Sequence, residues 1–207
     1  MRADAKKNYD LLITVARDVV LERGANASLR DIARKAGVGL GTLYRHFPTR
    51  EALLEALLRA SFDALTTRAD ELEASDSPDQ ALVSWLREVV AVARSHRGVI
   101  ASMVAAIDDP HCALQASCVT MRSAGARLLA RAQAAGLART DIDGADLFAL
   151  VGALTWLGDQ PSLAPRAEHL FGVITDAILT NRMRDVVTAL KTVNTTLVKP
   201  KKKPSLK

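Results

Sequence analysis

Cysteine is almost missing from this chain: Cys112 and Cys118 are the only two in 207 residues. Six positions apart in a helical pattern, they fall on different faces, and one pair makes no disulfide framework, so reduced and buried thiols are expected. Aromatic residues make up 4% of the chain, and there are four histidines. His111 adjoins Cys112 and His96 lies well upstream, but no tight Cys-x-x-Cys repeat is present, so neither a metal site nor a cofactor is expected. Paired acids, a nucleophile with its base and a glycine-rich phosphate loop are all missing, which argues against an enzyme. Long apolar runs are missing as well. The longest uncharged, mostly apolar stretch, 147–158, is too short to cross a bilayer, and the opening Met-Arg-Ala-Asp-Ala-Lys-Lys lacks the apolar core of a signal peptide. The expectation is a soluble, cytoplasmic protein with no membrane partner.

Strand-like alternation is absent too, and what remains is helical periodicity throughout. Charge along these helices is uneven. Residues 1–50 carry 10 Lys/Arg against 5 Asp/Glu, whereas residues 51–180 carry 10 against 17, with no lysine at all. Residues 181–207 reverse this with 8 against 1 and hold six of the nine lysines. A basic head on an acidic body fits a protein that meets phosphate at one end. The last segment reads as disordered from Lys199, either a solvated appendage or a basic arm that adds non-specific phosphate affinity.

Residues 28–47 are the most informative stretch. Ser28 stands before an apolar-periodic run as a helix N-cap whose side chain can accept from first-turn amides, and Asp31 complements the dipole. Leu29, Ile32, Ala33 and Ala36 share one face, Gly37 sits where a helix ends left-handed, and Val38 plugs the turn. A second short helix, Leu40 to His46, turns Leu43 and Phe47 inward, leaving Thr42, Arg45 and His46 outward and Tyr44 at the edge; Pro48 ends it. Helix, glycine turn and helix form a helix-turn-helix, whose second helix can enter the major groove of double-stranded DNA.

Around the motif the pattern predicts a first helix from about Ala5 to Arg23 and a fourth beginning after Thr49. Ser77, Pro78 and Gln80 read as a capping box opening a helix over 78–95. Further helices fit 98–107, 112–135, 144–158 and 164–180. The fold expected is all-α with about nine helices: a helix-turn-helix domain over 1–50, a helical effector-binding and dimerisation domain over 51–180, and the basic tail 181–207.

The first-helix run Ala16…Gly24, the block Ser28-Leu-Arg-Asp-Ile-Ala-Arg-Lys-Ala-Gly-Val, and Gly41-Thr-Leu-Tyr-Arg-His-Phe-Pro-Thr-Arg-Glu-Ala-Leu resemble the TetR/AcrR family of bacterial transcriptional regulators. The resemblance is dense over residues 8–58 and architectural beyond them. It implies that Ser28, Thr42, Tyr44, His46 and Arg50 contact phosphates, and that Gly39, Leu40, Gly41 and Arg45 stand at the base-facing end or side of the recognition helix. Leu40 departs from the polar or basic residue many relatives carry nearby, which leaves Arg45 and Arg30 as the main hydrogen-bonding base readers. It further implies a small-molecule ligand in the second domain and a four-helix dimer interface built from the last two long helices.

Small residues at Ala145, Ala149, Gly152 and Ala153, and the apolar stripe Leu170, Val173, Ile174 and Ala177, suit such an interface. Candidate pocket linings are Trp85, Met103, Met121, Phe148, Trp156 and Asp159, with Gln160 beside them, although residues of these types are more often core than ligand contact. The leading expectation is a homodimeric repressor on a palindromic operator, released by a small effector of unknown identity. The alternatives are an activator or effector-independent regulator, an enzyme with a DNA-binding head, and a basic nucleoid protein.

Overall fold

A computed structural model describes residues 2–24 and 27–180; the basic tail 181–207 lies outside the described residues. Ten α-helices and one short 3₁₀ turn follow one another among them, with no strand. The count exceeds nine because the segment expected as one helix over 98–107 breaks at Met103 into α6 (Arg97–Ser102) and α7 (Val104–Asp108).

α1 (Arg2–Arg23), α2 (Leu29–Lys35) and α3 (Leu40–His46) form the head. Leu12, Ala16, Val19 and Val20 of α1 meet Ile32, Ala33, Leu43 and Phe47 in its core. Gly24 and Gly37 close α1 and α2 at φ +67 and +68, a region that side chains with a Cβ enter at a steric cost. Ser28 occupies the N-cap of α2 with extended backbone, but its side chain makes no capping bond. Asp31 instead pairs with Arg23 (2.5 Å) and Arg34 (2.8 Å), and this bracing ties α2 to the end of α1.

α4 (Arg50–Leu72) begins in the head and runs into the body. Thr49 caps it through its hydroxyl, which accepts from the Ala52 N–H at 3.0 Å. The body comprises α5 (Pro78–Ser95), α6, α7, α8 (Ala113–Ala134), α9 (Gly144–Asp159) and α10 (Ala167–Ile178). α4 lies most extensively against α8. The capping box expected at Ser77 does not form: its side chain makes no capping bond, and the N–H that Gln80 would accept from goes to the Ser75 hydroxyl at 3.2 Å. A full box forms at α9 instead. Asp143 accepts from the Ala145 and Asp146 amides, and the Asp146 carboxylate accepts from the Asp143 N–H at 3.1 Å.

Trp85 is the body's central block, fully buried, its indole N–H donating to the Leu65 carbonyl at 2.8 Å. The ring rests on Gly125 of α8, where a Cβ would stand 2.4 Å from two ring carbons. One continuous apolar cluster runs from Leu12 in the head to Ile178 in the body, so the two regions share a core through α4.

Candidate nucleic-acid interface and body cavity

The α2–turn–α3 segment folds around its buried side. Ile32, Ala33, Leu43 and Phe47 are withdrawn from solvent, and the Val38 N–H donates to the Ala33 carbonyl at 3.0 Å across the Gly37 turn. That packing decides what faces outward. Tyr44 is 45% exposed, and Arg30, Gly39, Gly41 and Arg45 are exposed with it, while Leu40, Thr42 and His46 are half-buried. Tyr44, expected at the edge, is exposed on one side and lines a cleft beside α3 on the other. His46 is drawn partly inward because its ring packs edge-on to Tyr9 of α1 (centroids 6.1 Å) and beside Phe47 (6.2 Å). Tyr9 had no mark in the sequence beyond its aromatic character.

Arg45 lies back along its own helix, Nε donating to the Gly41 carbonyl at 3.3 Å and Nη2 to the Thr42 hydroxyl at 3.5 Å. Bonds that long on an exposed guanidinium are easily exchanged for better acceptors. Leu40 packs partly into the core, which leaves the guanidinium as the polar reach of α3.

Beside α3, Ser28, Leu29, Arg30, Leu40, Tyr44 and Arg50 line a cleft of about 360 Å³. Arg50 enters it from the first turn of α4. Its Nε and Nη2 are buried without a hydrogen-bond partner among the described residues. Desolvated guanidinium donors are costly unless an acceptor arrives, and a phosphate oxygen fits that need in charge and geometry. Six of the ten residues implied by the resemblance come together on one wall of the head in this way: five line this cleft, and Arg45 stands on the next exposed face of α3. Gly39, Gly41 and Thr42 form the opening turn of the same helix, and His46 closes it.

The body holds a larger cavity, about 560 Å³, walled by α4 through α9. Met121, Phe148, Trp156 and Asp159 line it. Trp85 and Met103 stand outside the lining. Trp85 lies one layer behind, its ring edge-on to Phe148 at 5.9 Å, and Met103 is buried at the α6–α7 break. Gln160 also lies outside, its side-chain amide donating to the Trp156 carbonyl at 3.4 Å. Sequence reasoning missed Phe62 and Leu65 of α4, Ile100 of α6, Asp108 of α7, and Cys118 and Arg122 of α8 in this wall. The Arg122 guanidinium hangs over the Phe148 ring, 5.7 Å from its centroid. Burial pushes the Cys118 thiol up, with Arg122 pulling the other way. Cys112, six residues earlier, points elsewhere and donates its thiol to Glu55 at 3.7 Å. Among the described residues no group of three or more His, Cys, Asp or Glu is placed to hold a metal ion.

Along the outer side of α9, Ala145, Ala149, Gly152 and Ala153 are exposed, and Trp156 is 60% exposed at the cavity mouth. On α10, Val173 and Ala177 are exposed and Leu170 and Ile174 half-buried. No helix among the described residues is long and apolar enough to cross a membrane.

Two family models match the chain. Residues 12–57 match "Bacterial regulatory proteins, tetR family", and residues 77–179 match "Transcriptional regulator SbtR-like, C-terminal domain". An HTH-type transcriptional regulator of Staphylococcus aureus strain MRSA252 is 34% identical over 79 residues, 37% of this chain and 41% of its own length. The chain thus spans about two fifths of the curated relatives it matches. Solved structures match over far more. A TetR transcriptional regulator from Streptomyces coelicolor is 35% identical with TM-score 0.68, covering 82% of this chain and 97% of its own. A TetR regulatory protein from Mycobacterium vanbaalenii is 31% identical with TM-score 0.65, covering 86% and 98%.

Proposed function

The chain belongs to the TetR family of bacterial transcriptional regulators, and from that premise we propose that it is a homodimeric repressor, released from a palindromic operator by a small, largely apolar effector. The observation that carries this reading is the path of α4. The same helix presents Arg50 at the cleft beside α3 and, twelve residues later, Phe62 in the cavity wall. At 1.5 Å per residue these points lie about 18 Å apart on one rigid rod. A molecule that reshapes the cavity therefore tilts the element that seats the head, and its differential affinity for the two postures is the coupling energy.

Residues 1–50 serve as the DNA-binding head and 51–180 as the effector and dimer body. In the head, Ser28, Thr42, Tyr44, His46 and Arg50 hold phosphates. Arg45 and Arg30 read base edges, with Gly39, Leu40 and Gly41 allowing close approach. The exposed apolar faces of α9 and α10 meet a second copy, which sets two α3 helices about one DNA turn apart. In the body, Met121, Phe148 and Trp156 face the effector's apolar surface, and Asp159 lies at one end of the α9 wall.

The reading is tested by selecting DNA from a random pool with the full chain and footprinting the product. A protected palindrome with two half-sites about 10 bp apart, center to center, is expected. Protection without a defined palindrome would count against it. Transcription in vitro from a promoter carrying the selected site separates repression from activation. A metabolite panel read by thermal shift and by operator release identifies the effector.

A further inference from the structure

The wall of the body cavity carries a single cation among the described residues, Arg122 of α8. Most of the rest is hydrocarbon, from Phe62 and Leu65 of α4, Val89 and Val92 of α5, Met121 of α8 and Val151 of α9. Two of the other polar side chains there are already occupied. The Thr155 hydroxyl donates to the Val151 carbonyl at 2.8 Å, and Asp159 is engaged by an interaction of its own. The Cys118 thiol is weak both as donor and as acceptor. That leaves Arg122 and the exposed Asp108 at the end of α7.

Arg122 and Asp108 face the same cavity and form no ion pair with each other. Among the described residues Arg122 holds no carboxylate at all, although Arg68, Arg87, Arg127 and Arg139 elsewhere in the body each hold one. Its guanidinium lies 5.7 Å from the Phe148 ring centroid instead. A π face attracts the cation but supplies no oxygen to its donors. Arg122 and Phe148 also border a second, open cleft of about 490 Å³ between α8 and α9. The exposed guanidinium thus stands where cavity meets solvent. A carboxylate arriving there gains a charge-assisted, two-pronged contact while keeping part of its water. The apolar body behind it leaves water for the cavity.

We propose that the cavity takes an apolar-bodied carboxylic acid, with the carboxylate on the Arg122 guanidinium at the rim and the hydrocarbon between α4, α5, α8 and α9. The proposal rests on the reading that this cavity holds the effector, and adds the effector's charge to it. Against a cationic ligand stands Arg122 itself, whose field opposes a second cation at the same wall. Asp108, exposed at the end of α7, is hydrated without one.

The test titrates the full chain by calorimetry with decanoate, decanol, decylamine and acetate at low salt, each below the concentration at which it forms micelles. Decanoate should bind about tenfold more tightly than decanol. Decylamine should bind more weakly than decanol, and acetate, which has the head without the body, should give no signal. Raising the salt should narrow the gap between acid and alcohol. In Arg122→Gln the acid should fall to the level of the alcohol, while decanol binding stays as in wild type and reports an intact cavity. Arg122→Met serves if that variant fails to fold, and Arg122→Lys should keep a preference for the acid. Methyl-labelled methionines locate the hydrocarbon by NMR, since the Met121 signal should shift with decanoate. Equal affinity for acid and alcohol in wild type, a preference for decylamine, an acid preference that survives loss of the cation, or an unmoved Met121 would each overturn the proposal. So would the absence of binding by the whole series. Release of selected DNA is measured separately. Acid that binds without releasing DNA keeps the ligand class and ends the effector reading. Release by ligands that show no preference for acid does the opposite.

Discussion

Head and body differ in where they leave arginines without a carboxylate beside a cleft. In the body, Arg68 holds Glu71 and Glu88, Arg87 holds Glu168 and lies over the Phe171 ring, Arg127 holds Asp70 and Glu73, and Arg139 holds Asp141. In the head, Arg23 and Arg34 brace Asp31, but Arg30, Arg45 and Arg50 hold no carboxylate among the described residues. These four body arginines are held by carboxylates of the body itself, Arg131 by the Leu72 and Ser75 carbonyls, while the Arg59 Nε is buried without a partner among the described residues. The head leaves three guanidiniums on or beside one exposed wall without a carboxylate among the described residues, which is what the proposed phosphate and base contacts require. Charge that is paired supports a fold, and charge left unpaired beside a cleft marks a partner.

Substitutions can break that comparison, beginning with the body core. Trp85→Ala should cost about 3–5 kcal/mol of stability, since it empties the center of the body and leaves the Leu65 carbonyl without its donor. Thermal denaturation reads this directly, while the folded fraction at low temperature should bind DNA as before. Arg50→Ala should do the reverse, leaving the melting temperature nearly unmoved and weakening DNA binding by about 1.5–3 kcal/mol. With a phosphate as its proposed partner, the loss should be equal on all sequences, with a salt slope shallower by about one.

Arg45→Ala should relax discrimination at one base pair by about 1–3 kcal/mol. Tyr44→Phe, by contrast, should weaken all operator variants alike. A gel-shift panel over operator variants distinguishes the two, and a uniform loss for Arg45→Ala would reassign it to the backbone. Smallest of all, Arg127→Ala removes an exposed paired charge and should change stability by at most about 1 kcal/mol and DNA binding not at all. A clear binding defect there would erase the distinction between paired and unpaired arginines.

The two regions also differ in how far their residues announce themselves. Gly37, Pro48 and Thr49 each do a job few residue types can do, and φ +68, the end of α3 and the Ala52 cap follow from them. The face opposite Leu43 and Phe47 was legible for the same reason, since burying those two leaves only one outer side. Ser77 misled because its side chain makes no capping bond, and the N–H that Gln80 would need for the other half of a box goes to the Ser75 hydroxyl. The cavity was harder still. Periodicity marks an inward face, and Trp85 and Met121 look alike on it. Which of them borders a void depends on how helices distant in sequence pack, as when Gly125 lets Trp85 sink behind Phe148. Arg122 and Cys118 reached the wall with no sequence signal at all. The Met103 break similarly follows from packing, because 98–107 carries no proline or mid-helix glycine to mark it.

The most direct test of the account is the salt dependence of binding to selected DNA for wild type, Arg50→Ala and Arg127→Ala side by side. The account predicts a protected palindrome and a wild-type affinity that falls steeply with salt. It also predicts a slope shallower by about one for Arg50→Ala and a slope identical to wild type for Arg127→Ala. Equal slopes for all three proteins, or equal losses in both variants, would contradict it.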